Sequence, residues 1–326
     1  MPKISVIIPI YGVEKYIERC ARSLFEQTLD DIEYIFIDDC SPDASIKILE
    51  CIIEKYRIRI SEKNYSVKIE RLPSNRGLPA VRMHGNIMAS GDYIIHCDSD
   101  DWVEREWAET LYRKAIKDNL DVVICDYFRV INGHKEECKN KCFDHRSKDY
   151  YIGNLLTKKC ITAVWNKLVK RSIYQRDDFQ YPKFNMWEDY YISIQIFYYS
   201  KRIGYANVPL YNYYYNNQSI CYNDHSQERI KQVVLNCNSI LTFLKHHNIE
   251  SRFSSEIIVL KNNAKNEALS SFRSSEFYQM WKNIYPENNM KYLFSRIVSL
   301  KDKIRFITVW LGLYPTWLKI TNRAQK

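Results

Sequence analysis

Buried-strand patterns alternate with helical patterns along the first 130 residues, and this alternation constrains the fold more than any other feature. Ile4–Ile10 is a continuous apolar run, as expected for a strand that is covered on both faces. The apolar residues after it, as far as Phe25, recur at helical spacing. The sequence therefore predicts an α/β fold, an open and mostly parallel sheet flanked by helices. Further strands are predicted at Glu33–Ile37, Val67–Leu72, Tyr93–Cys97 and Asp121–Phe128.

Acidic residues follow two of these predicted strands. Asp38 and Asp39 end the second strand, and Ser41 with Pro42 predicts that a helix begins there with Ser41 as its N-cap. Asp98–Asp101 follows the fourth strand. Ligands of such sheets bind beyond the carboxyl ends of the strands, so both clusters are expected at a binding site. Mg²⁺ or Mn²⁺ would relieve the repulsion between the carboxylates; a loop or helix-cap role, above all for Asp101, is the alternative.

Composition excludes several classes of protein. Apolar residues make up 46% of the 326 residues and charged residues 27%, which is typical of a folded protein. No apolar run reaches the roughly 20 residues of a membrane-spanning helix, and Met1–Pro9 reads as a strand, not a signal peptide. The ten cysteines are therefore expected to be reduced thiols in the cytoplasm. The eight glycines form neither the dinucleotide-binding fingerprint nor a P-loop.

A series of short motifs follows in a fixed order along the first 220 residues. They are Ile4–Tyr11 with Glu14, Asp38–Ser41, Asn75–Leu78 with Arg82, Ala89–Tyr93, Asp98–Asp101, Trp165–Leu168, Trp187–Asp189 and Tyr211–Ile220. Together they closely resemble the family 2 inverting glycosyltransferases with the GT-A fold, most strongly over residues 1–125. The resemblance implies a catalytic domain over residues 1–222, with a nucleotide-sugar half (1–125) and an acceptor half (126–222). A helical C-terminal region would occupy residues 223–326.

The resemblance implies a UDP-sugar donor and a set of residues that bind it. Asp39 would accept a hydrogen bond from the uracil N3–H, Asp98 would contact the ribose, and Asp100 would hold Mn²⁺ or Mg²⁺ on the diphosphate. Arg82 would lie beside the phosphates or the ribose; a surface charge on a helix is its alternative role. The donor-binding residues implied are Pro9, Tyr11, Glu14, Asp39, Arg82, Asp98 and Ser99.

The implied reaction is the transfer of a hexose or N-acetylhexosamine to a hydroxyl of a glycan or lipid-linked saccharide, with inversion. Cell-surface polysaccharide or lipid-linked oligosaccharide synthesis would be its setting. By resemblance Asp189 is the catalytic base, with Trp187 and Glu188 beside the acceptor; helix capping by the acidic pair is the alternative role. A nucleotidyltransferase-like enzyme and a non-catalytic UDP-sugar binder remain as other functions. The former would need a glycine-rich basic loop where Tyr11–Glu14 stands.

The end of the chain is basic and amphipathic. The net charge is +9, and residues 251–326 carry 13 Lys and Arg against 5 Asp and Glu. Apolar residues recur every three or four positions from Leu293 to Tyr314, with lysines and arginines between them. This pattern predicts either an interfacial anchor on an anionic membrane, on the inner face of the cytoplasmic membrane, or a helix packed on the rest of the C-terminal region. No nucleic-acid-binding module accompanies the charge, so nucleic acid is not an expected partner.

Overall fold

The computed structural model describes residues 1–140, 147–215, 226–270 and 275–313. The chain divides into two compact units, one formed by Met1–Leu155 with Lys159–Asn223 and the other by Leu156–Lys158 with Asp224–Lys326. Every residue predicted above to bind the donor or to react lies in the first unit.

The described part of the first unit is built on a nine-stranded sheet with the strand order β3-β2-β1-β4-β8-β6-β9-β5, and β7 pairs with β6 at the side. The strands are β1 (Ile4–Ile10), β2 (Ile32–Asp38), β3 (Ser66–Arg71), β4 (Tyr93–His96), β5 (Trp102–Val103), β6 (Val122–Ile131), β7 (His134–Cys138), β8 (Lys167–Lys170) and β9 (Ile203–Tyr214). The helices are α1 (Ile17–Phe25), α2 (Ser45–Glu62), α3 (Leu78–Met88), α4 (Trp107–Lys117), α5 (Lys148–Leu156), α6 (Arg171–Tyr174) and α7 (Glu188–Tyr199).

The first four strands form the parallel half of the sheet. β1 pairs in parallel with β2 and β4, and β2 pairs in parallel with β3. Residues of β1 and β2 are almost all buried, because helices cover this half of the sheet on both faces. The α/β fold and the strands predicted in this half are confirmed, with ends that differ by one residue. The ends of β1, β2 and β4 meet at one edge, which brings the two acidic clusters to the same side.

The remaining strands make the sheet mixed. β8 runs antiparallel to both β4 and β6, while β9 is parallel to β6 and antiparallel to β5. β6 and β7 form a hairpin.

Two local details differ from the expectation. Cys160 lies in a disulfide bond, so the prediction of reduced thiols is wrong for this residue.

The second difference concerns the start of α2. This helix begins at Ser45, with Ala44 before it, so the prediction that Ser41 is its N-cap is wrong. The Ser41 hydroxyl instead accepts the Gly12 N–H at 2.9 Å and donates to the Asp43 carboxylate at 2.7 Å. The Ser41 hydroxyl thus binds the loop after β1 and does not cap α2.

The Ala89–Tyr93 motif closes the opposite edge of the sheet. The buried Glu33 carboxylate accepts hydrogen bonds from the hydroxyls of Ser5 and Ser90. A side chain at Gly91 would place its Cβ 2.6 Å from the backbone nitrogen of Ser5, so only glycine allows the chain to approach β1 this closely. This motif serves the packing of the sheet.

The described part of the second unit is helical. Its helices are α8 (Gln227–His246), α9 (Ser254–Ser270), α10 (Ser275–Asn283), α11 (Asn289–Phe294) and α12 (Leu300–Trp310), with 3₁₀ turns at Glu250–Phe253 and Pro286–Asn288. Trp281, Tyr292, Phe306 and Val309 form its core together with Ile230 and neighbouring apolar residues. The predicted helical C-terminal region is thus confirmed for the described residues. None of the helices in the described ranges is both long and apolar enough to span a membrane.

Candidate active site

The loops that follow β1 and β2 are joined by hydrogen bonds. Backbone amides of the first loop donate hydrogen bonds to side chains of the second. In the other direction, the Glu14 carboxylate accepts a hydrogen bond from the Ala44 amide. The bonds run from the amide nitrogens of Gly12 to Ser41 Oγ (2.9 Å), Val13 to Ser45 Oγ (3.0 Å), Glu14 to Asp43 Oδ2 (2.9 Å) and Ala44 to Glu14 Oε2 (3.1 Å). The two loops therefore form one structure at the edge of the sheet.

Three predicted donor residues belong to this edge. Pro9 lies inside β1, and the Tyr11 ring just beyond the strand is 49% exposed, so its surface is open to a ligand. Glu14 is an exposed residue, but its carboxylate oxygen Oε2 already accepts a hydrogen bond from the Ala44 amide. A role of Glu14 in donor binding stays a prediction, and its contact with Ala44 is structural.

Asp39 is held in a fixed orientation just after β2. Its two carboxylate oxygens accept the backbone amides of Arg76 (2.7 Å) and Gly77 (2.9 Å), and the residue is only 4% exposed. Its own amide donates to the Ile10 carbonyl at 2.9 Å. A carboxylate has about four lone-pair sites, so one further donor can still be accepted. Asp39 is thus an oriented acceptor between the ends of β1 and β2.

The turn at Gly77 links Asp39 to the loop that precedes α7. Gly77 has a φ of +82°, and a Cβ there would lie 2.7 Å from Asn185 Oδ1. The same amide oxygen accepts the Leu78 N–H at 3.1 Å, at the start of α3. Only glycine satisfies both the backbone conformation and this close approach.

Arg82, on α3, is the centre of a buried charge cluster. Its side chain is 3% exposed; Nε donates to Glu188 Oε1 at 3.0 Å and Nη2 donates to Asp98 Oδ1 at 2.9 Å. Nη1 is buried and has no hydrogen-bond partner among the described residues. Burial alone would lower the pKa of Arg82, but the nearby Asp98 and Glu188 carboxylates outweigh it and raise the pKa. One guanidinium therefore joins the sheet edge to the start of α7.

Glu188 and Asp189 differ in their surroundings although they are adjacent. Glu188 is 3% exposed, and burial raises its pKa to about 8 despite the opposing effect of Arg82. Asp189 is partly exposed. Its pKa is also raised by burial, against the attraction of Arg82 and Lys167. As a residue, Asp189 is thus more exposed than Glu188.

The residue before this pair has an unusual backbone. Trp187 adopts the left-handed conformation, with φ +64° and ψ +24°, which is uncommon for a side chain of its size. Its ring lies 5.1 Å from that of Tyr190. Such backbone conformations persist where the surrounding structure enforces them, and they cluster at functional sites.

The D-x-D segment after β4 is fixed by contacts from β9. The Tyr211 hydroxyl donates to Asp101 Oδ2 at 2.7 Å and accepts the Asp98 N–H at 3.0 Å. The Asp101 Oδ1 accepts the Tyr214 amide at 2.7 Å. Asp101 therefore does not cap the next helix, which begins only at Trp107. Its burial raises its pKa well above the usual range, and it is a structural member of the segment.

Asp98 and Asp100 flank the buried Ser99 in the chain. Both aspartates are partly exposed, and the Asp100 carbonyl accepts Arg19 Nη2 at 2.8 Å. No group of three or more His, Cys, Asp or Glu side chains that could hold a metal occurs within the described ranges. Mg²⁺ and Mn²⁺ at phosphate sites use one or two protein carboxylates and take other oxygens from the ligand, so Asp98 and Asp100 fit such an ion.

Two residues of this region carry structural roles that the sequence did not predict. The Arg19 guanidinium lies 3.8 Å from the centre of the Trp102 ring, beside the D-x-D segment. Lys167 on β8 is fully buried, and its Nζ donates to the Ile161 and Ala163 carbonyls and to Asn166 Oδ1. Burial lowers the pKa of Lys167 to about 7, opposed by Asp189. A lysine within an apolar strand pattern was the available signal for Lys167.

Comparison with known proteins decides the family. Residues 5–180, more than half of the chain, match the family described as Glycosyl transferase family 2. The chain belongs to this family. It is 32% identical over 225 residues to the putative glycosyltransferase EpsH of Bacillus subtilis, an alignment that covers 67% of this chain and 62% of EpsH. The chain thus spans less than two thirds of the length of that relative. As the sequence predicted, it contains a family 2 glycosyltransferase domain.

Solved structures share the fold of this family 2 glycosyltransferase. Staphylococcus aureus TarS 1–349, solved in complex with UDP-GlcNAc, superimposes with a TM-score of 0.69 at 19% identity, covering 88% of this chain and 81% of that one. A mannosyltransferase of Pyrobaculum calidifontis, solved in complex with GDP-Man and Mn²⁺, has a TM-score of 0.53 at 13% identity and covers 96% and 87%. These similarities establish the GT-A type of fold.

Proposed function

We propose that this glycosyltransferase transfers one hexose or N-acetylhexosamine from a UDP-sugar to a hydroxyl of a glycan or lipid-linked saccharide, with inversion. The observation that carries the proposal is the bridge made by Arg82. It hydrogen-bonds both Asp98, at the edge of the sheet, and Glu188, next to Asp189. A donor group and an acceptor group predicted from separate motifs are thereby connected through one buried side chain.

The donor lies at the edge formed by β1, β2 and β4. The Asp39 carboxylate, oriented by two amides, accepts the N3–H of uracil, and the exposed Tyr11 ring packs beside the base. Pro9, Glu14 and Ser99 are the other residues assigned to donor binding at this edge. UDP-GlcNAc in the complex with TarS supports a UDP-sugar in a site of this fold.

Asp98 and Arg82 bind the ribose and phosphate part of the donor. Arg82 Nη2 donates to Asp98 Oδ1 at 2.9 Å, so the guanidinium and the aspartate act on this part of the donor together. Asp100, with Asp98 nearby, would hold Mn²⁺ or Mg²⁺, and such an ion supplies charge neutralisation for the departing UDP. The Mn²⁺ in the mannosyltransferase complex supports this assignment.

Asp189 acts as the general base. Inversion follows from a single displacement, in which the acceptor oxygen bonds to the anomeric carbon as the bond to UDP breaks. The acceptor hydroxyl gives its proton to the carboxylate of Asp189, a partly exposed residue. The raised pKa of Asp189 brings the base closer to neutral pH, where proton transfer is most effective.

Glu188 and Trp187 support the acceptor side. Glu188 accepts a hydrogen bond from Arg82 at 3.0 Å, so it acts on the site through that guanidinium. Trp187 presents a partly exposed ring next to Asp189, as a surface on which a sugar ring can stack.

The experiment that tests the proposal is a UDP-release screen. The chain is incubated with UDP-glucose, UDP-galactose, UDP-GlcNAc or UDP-GalNAc and a panel of saccharide acceptors, each with Mn²⁺, Mg²⁺ or EDTA. Release of UDP from one donor, dependent on acceptor and abolished by EDTA, is the expected result. Release of pyrophosphate from UTP and a sugar phosphate would indicate a nucleotidyltransferase instead. UDP binding without turnover for any pair would indicate a non-catalytic binder.

A further inference from the structure

Helix α12 has two apolar faces, and only one of them is covered by its own unit. Phe306 (4% exposed) and Val309 (1%) point into the core of the second unit. A helix that is apolar on more than one side is normally buried all round. The second apolar face of α12 therefore needs an explanation.

The second face forms a continuous exposed stripe. Leu300, Ile304, Ile307 and Leu311 are 74%, 54%, 41% and 68% exposed, and we call these four residues the outer stripe. Their spacing of four, three and four positions puts them on one side of the helix, because the helix turns about 100° per residue. The same geometry places the buried Phe306 and Val309 on roughly the opposite side.

Cations flank the outer stripe. By the same rotation Lys301 lies on one side of it and Lys303 on the other, with Arg305 further round the helix. Asp302 lies towards the buried side, where its amide and carboxylate contact Ser299. The surface thus presents an apolar ridge between positive charges, which is the arrangement required at the boundary between lipid headgroups and acyl chains.

We propose that the outer stripe of α12 docks on an anionic lipid surface, with its leucines and isoleucines among the acyl chains and the flanking Lys301 and Lys303 at the headgroups. Charge complementarity selects this occupant. A second copy of the chain would bring the same lysines and arginine to the contact, and these like charges would oppose the association. The proposal does not depend on the identity of the sugar donor.

The packing of α12 determines how the proposal is tested. Removing everything after residue 290 would also remove Tyr292, Phe306 and Val309 from the core. Such a chain would lose vesicle binding through unfolding, whatever the role of the stripe. Point substitutions of exposed residues avoid this, because side chains that are largely in water contribute little to folding.

The experiment is co-sedimentation of the full chain with vesicles of phosphatidylcholine alone or with 30% phosphatidylglycerol. The stripe variant carries Leu300→Gln, Ile304→Gln and Ile307→Gln; the charge variant carries Lys301→Gln and Lys303→Gln. The control for the stripe variant is Ile58→Gln with Ile116→Gln, which replaces two isoleucines of the first unit that are 65% and 54% exposed. Circular dichroism verifies that each variant is folded.

We expect the original chain and the control to bind anionic vesicles and to bind phosphatidylcholine at least about tenfold more weakly. Binding should weaken when the salt concentration is raised from 0.1 to 0.5 M. The Debye length is about 10 Å at 0.1 M and shorter at 0.5 M, so the attraction between the lysines and the headgroups is screened. The stripe variant should lose at least about tenfold in partitioning, since each buried leucine or isoleucine contributes at least that much when fully covered. The charge variant should lose its preference for phosphatidylglycerol.

Three results would overturn the proposal. The first is that the original chain and the charge variant both fail to bind anionic vesicles. The second is that the stripe variant binds them as well as the control does. The original chain could form a dimer in light scattering that the stripe variant does not form, without any vesicle binding, which would make a second copy the occupant.

Discussion

Replacing Arg82 by methionine tests the charge cluster that carries the proposed function. Arg82→Met keeps much of the aliphatic volume and removes the guanidinium that binds Asp98 and Glu188. A matched control exists on the same edge of the sheet. Arg71 also pairs with a strand-end aspartate, Asp38, at 3.2 Å, but its side chain is 65% exposed, against 3% for Arg82.

The expected losses differ because the two arginines differ in burial. Arg82 makes one hydrogen bond to the Asp98 carboxylate and one to Glu188, whose raised pKa of about 8 leaves it largely neutral at pH 7. Both bonds are donated by a cationic guanidinium, and hydrogen bonds that involve a charged group contribute about 1.5–3 kcal/mol each, so we expect Arg82→Met to lose about 3–6 kcal/mol of unfolding free energy at pH 7. Arg71→Met should lose less, about 1 kcal/mol, because the Arg71 guanidinium is largely in water although the Asp38 carboxylate is buried.

Urea unfolding at pH 7 and pH 9 measures both variants. Above pH 8 Glu188 ionises in the original protein and then depends on Arg82, so the loss in Arg82→Met should grow at pH 9 while that in Arg71→Met stays constant. Equal losses for the two variants, or a loss in Arg82→Met that shrinks as the pH rises, would refute the argument.

The other predictions concern single groups of the same site. Asp189→Asn should bind UDP normally and lose at least about 10²-fold in turnover, measured by UDP release, because the proton acceptor is gone. Asp100→Ala should make UDP affinity independent of EDTA, measured by calorimetry with and without Mn²⁺. Glu188→Gln should become progressively more stable than the original between pH 5 and 9, since a carboxyl with a folded pKa near 8 loses stability as the pH rises through that value. Gly77→Ala should destabilise the chain by at least about 1 kcal/mol more than Gly133→Ala, because the φ of +82° and ψ of +161° at Gly77 lie in a region essentially confined to glycine and a Cβ there also meets Asn185 at 2.7 Å, whereas a Cβ at Gly133 meets nothing within 4 Å.

Each of these has an outcome that contradicts it. Full turnover in Asp189→Asn with an inactive Glu188→Gln would move the base by one residue, and full turnover in both would remove the pair from the reaction. Equal UDP affinity of the original chain with Mn²⁺ and with EDTA would contradict the metal site. If the difference in unfolding free energy between Glu188→Gln and the original protein stays constant across the pH range, the pKa of Glu188 is not shifted. Equal effects at the two glycines would mean that neither the ψ of Gly77 nor its contact with Asn185 adds to the cost of the substitution.

The parallel strands could be predicted from sequence because their signal is local. A strand covered on both faces must be apolar throughout, and Ile4–Ile10 has that property in the sequence and the same bounds in the structure. The start of α2 could not be predicted this way. Ser41 has the residue type of a cap, yet its hydroxyl bonds to Gly12, which is 29 residues away in the chain.

The candidate site depends on similar long-range contacts. The motifs predict a set of acidic residues and Arg82, but Arg82 bonds to residues 16 and 106 positions away, and no local pattern encodes that pairing. The burial of Lys167 was not predicted either: the apolar residues around it were a signal, but a lysine in a short motif reads as exposed until the strands on both sides are known.

The interlocked loops after β1 and β2 have a consequence for how a nucleotide would be recognised. Because hydrogen bonds already join Gly12 to Ser41 and Glu14 to Asp43, the conformational entropy of these loops is lost when the chain folds and not when a ligand arrives. Base recognition at this edge would then be preorganised, and nucleotide association should follow a single rate without a slow rearrangement of these loops. Discrimination between nucleobases would reside in the dissociation rate, as expected of a rigid template.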